Sequence, residues 1–185
     1  MGLKIGFSKS RKKVKLFSDL IIFWDRVRHG SNLPISHCYG RFTSASWERD
    51  FIYQASGHAT NFMGEKNFAN RHEVIEEYTL SIPRDVVERI GRVCVDREGK
   101  PYAIKQTIGI AISAIIWIIT FGKIEIKNPF ADGDAETNCI EEWGRILAQE
   151  LNVEPPQYLD GISVKPFRDW IAGLPMARLT DVKLD

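Results

Sequence analysis

The chain has 185 residues, 44% hydrophobic and 26% charged, with a formal net charge of +1. That balance predicts one globular domain whose core is large enough to hold without disulfides. The near-neutral charge excludes a dedicated nucleic-acid binder, and three cysteines without paired spacing exclude a disulfide framework.

Lysines and arginines cluster between Lys9 and Lys15. Residues 1–15 are therefore read as a basic, solvated N-terminal arm, residues 16–175 as one domain and residues 176–185 as a tail. No long apolar core follows the basic residues, so no signal peptide is expected, and the protein is expected in the cytoplasm or carried in a particle.

Leu16–Trp24 is a short apolar run rich in aromatic and β-branched residues, and it reads as a buried strand. Pro34–Phe42 reads as a second strand. Its alternation puts Ile35, His37, Tyr39 and Arg41 on one face and Ser36, Cys38, Gly40 and Phe42 on the other. Asp50–Ala55 is a third strand, with Ile52 and Gln54 sharing a face. Residues 58–72 are mixed, with Asn61, Gly64, Asn67 and Asn70 marking loops. Val74–Ile82 is a further strand, ended by Pro83, which also suits a helix start. Val86, Val87, Ile90, Val93 and Cys94 then keep a helical stripe, with Cys94 in the core.

A second helical segment opens at Tyr102 and is apolar nearly all round from Ile108 to Phe121. It is shorter than the roughly 20 residues a spanning helix needs. It is either a fully buried helix or a surface that meets lipid or another protein. Lys123–Lys127 reads as a short extended piece and Asn128–Asp134 as a loop. Ile140, Trp143, Ile146, Leu147 and Leu151 mark an amphipathic helix from about Asn138 to Leu151. Asn138 is a good N-cap, and Glu141 completes a capping-box pattern. Cys139 therefore sits at the first helical position, where the helix dipole and unpaired N–H groups favour the thiolate. Lys165–Ile171 forms a terminal helix.

Cysteine hydrolysis needs a thiolate, an imidazole that carries the proton, and a polar group that fixes the imidazole. Of the four histidines, His37 is the one in mid-strand. Gln54 lies on the next strand, and neighbouring strands can bring two such residues side by side. Cys139 would reach them if its helix packs on that sheet face.

Ser18-Asp19-Leu20-Ile21-Ile22-Phe23, Ile35-Ser36-His37-Cys38-Tyr39-Gly40 and Ile52-Tyr53-Gln54-Ala55-Ser56-Gly57 resemble, in that order, three strand motifs of the circularly permuted papain-like (NlpC-type) cysteine peptidases and amidases. Gly99-Lys100-Pro101-Tyr102, Asn138-Cys139-Ile140-Glu141 and Ser163-Val164-Lys165-Pro166 resemble their later elements. The resemblance implies an α+β fold of the permuted papain-like type, with an antiparallel sheet packed on the nucleophile helix. It implies Cys139 as nucleophile, His37 as general base and acid, and Gln54 as the orienting group, with the Cys139 N–H helping to hold the oxyanion and no cofactor. The substrate it implies is a peptide amide, bacterial cell wall being typical, or an acyl group. Gln54 stands where related members carry Glu, Ser18 where Gly is usual, and Ile140 where Ser is usual. A glutamine cannot stabilise imidazolium by charge, so the base is expected to be weaker.

Two further readings stand beside the hydrolase. One is a binding or structural protein of the same fold, such as a phage particle component, docking through Ile108–Phe121. The other is a metal site built from His37, Cys38 and His58, disfavoured because Cys38 is expected to point away from His37.

Overall fold

A computed structural model describes residues 1–11, 15–44, 49–124, 137–155 and 163–180. The protein is α+β. Its strands are β1 (Gly2–Ser10), β2 (His37–Ser44), β3 (Arg49–Ser56), β4 (Ala59–Gly64), β5 (His72–Leu80) and β6 (Ala177–Thr180). Its helices are α1 (Lys15–His29), α2 (Glu65–Ala69), α3 (Arg84–Asp96), α4 (Ile104–Ile119), α5 (Cys139–Leu151) and α6 (Val164–Gly173). The strands form one antiparallel sheet in the order β4-β3-β2-β1-β5-β6.

Several expectations are corrected here. Residues 2–10 are not an arm but a central strand, paired to β2 on one side and β5 on the other. Leu3, Ile5 and Phe7 alternate into the core, while Lys4 and Lys9 pair with Glu77 and Glu73. The expected tail holds β6, whose Ala177–Thr180 pair with β5. Leu16–Trp24 is not a strand but part of α1. Arg26, Arg28 and His29 occupy its last turn, where the dipole favours cations, and Gly30 at φ 60 ends it. Residues 58–72 hold β4 and α2 rather than loops alone. Of the expected extended piece Lys123–Lys127, residues 125–127 lie outside the described residues, as does the expected loop Asn128–Asp134.

One sheet face carries the main core. Leu3, Ile5, Phe7, Cys38, Phe42 and Tyr53 meet Val87 and Ile90 of α3, Trp143 and Leu147 of α5, and Phe167 of α6. Cys94 is fully buried there, as its stripe predicts. On the opposite face Tyr39 and Ile52 pack on Phe68 of α2. Trp143 fits directly over Gly40: a Cβ there would lie 1.9 Å from the indole Cζ2. That close approach brings α5 down onto β2.

α1 is fastened by polar contacts. Asp25 is buried, accepts from Ser163 Oγ at 2.8 Å and from the Lys165 backbone N–H at 3.1 Å, and so holds the start of α6. Ser18 Oγ and Ser36 Oγ share a hydrogen bond of 2.6 Å, which holds α1 beside the residue that precedes His37.

Candidate active site

α5 begins as its sequence predicts. Asn138 is extended (φ −105, ψ 171), and its side chain accepts from the N–H groups of Ile140 at 3.0 Å and Glu141 at 2.9 Å. Two of the otherwise unpaired first-turn donors are thereby satisfied. Glu141 pairs with Arg145, and buried Glu142 takes a two-pronged bond from Arg97 at 2.7 Å and a third bond from Tyr53 Oη at 2.7 Å. These buried carboxylates are compensated, and their bonds tie the turn that carries Cys139 to Arg97 and Tyr53.

Cys139 is the first residue of α5, and His37 opens β2 rather than lying in mid-strand as expected, because residues 34–36 are not in the strand. α5 packs on the Cys38–Gly40–Phe42 face of the sheet, opposite to the face that carries Tyr39 and Ile52. The helix therefore does not lie on the His37–Gln54 face. Cys139 instead meets His37 at the sheet's end, with a hydrogen bond between thiol and ring. Both are nearly enclosed, 5% and 7% exposed.

The other side of the ring is held by Gln54. His37 Nε2 lies 2.8 Å from Gln54 Oε1. Gln54 Nε2 faces Met63 Sδ at 3.6 Å, which turns the amide oxygen, not its N–H groups, toward the imidazole. An amide oxygen only accepts, so Nε2 carries a proton and Nδ1 is the nitrogen left for Cys139. Gln54 itself is buried.

Cys38 is closer to the chemistry than alternation suggests. Its thiol lies 2.9 Å from the Cys139 carbonyl and within hydrogen-bonding range of the Cys139 sulfur, so its one proton can serve either acceptor. Alternation does turn Cys38 away from the His37 face, but it turns it toward α5. His72 is a second neighbour that sequence reasoning missed. Its ring lies 5.0 Å from that of His37, stacked on Phe68 at 4.4 Å. Burial, then the neighbouring His37, push its pKa down to about 3, so it backs the site as a neutral ring. No local signal marks His72, because the stack is assembled from α2, β2 and β5.

The charges fit a nucleophile and its acid. The hydrogen bond from Cys38 is the main influence that lowers the Cys139 thiol. Burial opposes it, and the charge and hydrogen bond of His37 reinforce it, so the thiol ends well below its ordinary value. Burial alone would lower His37, but the Cys139 charge and the bonds from Cys139 and Gln54 outweigh burial and raise it. Both shifts favour a thiolate–imidazolium pair. Burial pushes the other two thiols, Cys38 and Cys94, upward.

Replacing Gln54 by Glu tests the orienting contact. A carboxylate at that position would stabilise the imidazolium by charge, so the His37 titration is expected to move up. NMR titration of the His37 ring reads the shift. An unmoved or lowered value would mean that residue 54 does not act on the ring.

His58 lies exposed in the β3–β4 turn, whereas His37 and Cys38, with which it would form the disfavoured metal trio, are buried. Among the described residues no group of three or more His, Cys, Asp and Glu side chains is placed to hold a metal ion. Comparison of the chain with family models, curated proteins and solved structures finds no match.

Proposed function

We propose that the protein is a cysteine hydrolase of the permuted papain-like type that cleaves an amide bond, with bacterial cell-wall peptide as the substrate class. The observation that carries this reading is the position of Cys139. Its thiol stands at a capped helix N-terminus and is hydrogen-bonded to an imidazole whose other nitrogen is held by Gln54.

The chemistry follows from that arrangement. The Cys139 thiolate attacks the carbonyl carbon, and the carbonyl oxygen takes up the negative charge. The Cys139 backbone N–H, which has no helical carbonyl to bond, is the natural donor to that oxyanion. His37 Nδ1–H then passes its proton to the leaving amine, and a thioester on Cys139 remains. Next, water gives a proton to Nδ1 and attacks the thioester. The acid product leaves, and the thiolate–imidazolium pair is restored.

Alkylation by iodoacetamide tests the pair without a known substrate. Cys139 is expected to label fast well below the free-thiol value of roughly 8.5, ahead of Cys38 and Cys94, and to lose that advantage in His37→Ala. Labelling that rises only near the free-thiol value and ignores His37 would favour the second reading, a binding protein with an inert site.

A further inference from the structure

α4 turns its apolar face the wrong way for a buried helix. Ile108, Ile112, Ile115 and Ile119 recur at helical spacing, and all four are exposed, Ile119 by 69%. Of the two readings of this segment, the fully buried helix is thus overturned. Its inner side meets α1, where Trp117 packs edge-on against Trp24 with ring centroids 5.8 Å apart. α1 likewise turns Leu20, Phe23 and Val27 outward. Just past α4, Phe121 is 92% exposed at φ 52, at the tip of the turn. Two touching helices and a protruding phenylalanine make one apolar face, where single scattered residues would be ordinary.

Positive charge gathers at the edges of this face. Arg26 and Lys123 are exposed beside it, and the Arg28 guanidinium lies over the rings of Trp24 and Trp117 at 5.8 and 5.6 Å. Against these cations stands Asp19, the exposed carboxylate of α1, in a chain whose net charge is only +1. Asp25 is buried against Ser163, so it offsets little of this field at the surface.

We propose that the α1–α4 face docks the protein peripherally on an anionic lipid bilayer. Such a bilayer offers an apolar layer and a negative surface together, which is what apolar residues rimmed by arginine and lysine match. A second copy of the chain would bring two basic rims together. At 16 residues, α4 is about 24 Å long, short of the roughly 30 Å hydrocarbon core, so it lies along the membrane rather than across it. The face adjoins the site: Ser18 of α1 bonds Ser36, next to His37, and the Ala103 N–H just before α4 donates to the carbonyl of Thr137, two residues before Cys139, at 3.0 Å.

Co-sedimentation with phosphatidylcholine vesicles, with and without phosphatidylglycerol, tests this. The wild type is expected to bind the anionic vesicles at least about tenfold more tightly, with affinity falling as salt rises. Ile112→Glu together with Ile115→Glu is expected to weaken that binding at least about tenfold. Both positions face solvent, so the fold is retained, as circular dichroism would verify. No binding by the wild type, or binding unchanged in the double variant, overturns the proposal. So does a dimer in sedimentation equilibrium that the same substitutions disperse, since a second copy would then cover the face. The vesicle result does not depend on whether Cys139 is reactive, so failure here is distinguishable from failure of the hydrolase reading.

Discussion

Cys139→Ala is expected to leave a folded protein in which the proposed hydrolysis is at least about ten-thousandfold slower, because removing the proposed nucleophile removes the whole covalent route. His37→Ala is expected to cost nearly as much, and the double variant little more than either alone, since the two act as a unit. The pH profile supplies the sign. Activity needs the thiolate and the imidazolium together. The Cys139 thiol is lowered and the His37 ring is raised, so the active pair is present between their two titrations. kcat/KM should therefore fall on the acid side as the thiolate is protonated and on the alkaline side as His37 loses its proton. Retention of turnover within about tenfold in either single variant would remove this mechanism.

Gly40→Ala is expected to destabilise the protein by about 1–3 kcal/mol or more, as overpacking of a filled core does. The new Cβ would lie 1.9 Å from Trp143 Cζ2 and 2.1 Å from Cη2, so β2 and α5 must part. Trp143→Leu alone should also cost stability, by emptying fully buried space. In the double variant the two costs should not add, because the leucine leaves room for the methyl. Urea unfolding of the four proteins measures this. Additivity within about 0.5 kcal/mol would show that the indole does not bear on Gly40. The same separation would move Cys139 relative to His37, so any activity should fall in Gly40→Ala and partly return in the double variant.

α1 illustrates where reading the chain stops. Its run Leu20-Ile21-Ile22-Phe23-Trp24 has the apolar, β-branched character of a buried strand, and a short apolar run does not separate strand from helix. Its packing is also inverted. The buried positions include polar Ser18 and Asp25, each bonded to a distant partner, while Leu20, Phe23 and Val27 face outward. β1 failed for a different reason: the alternation of Leu3, Ile5 and Phe7 is present, but the basic residues that follow it drew the segment into an expected arm. His37, Gln54 and the face each occupies on its strand were legible, because strand alternation is local.

The sequence by itself determined the start of α5. Asn138 caps, Cys139 takes the first helical position, and the Ile140–Leu147 stripe faces inward, since caps and periodicity depend on a few neighbouring residues. Only the tertiary structure decided what Cys139 touches. Its partners His37 and Cys38 lie about a hundred residues earlier, and α5 lies on the Cys38 side of the sheet, opposite to the His37 face, with Trp143 seated on Gly40. Long-range packing of this kind, in which one glycine admits one indole, leaves no mark in local pattern.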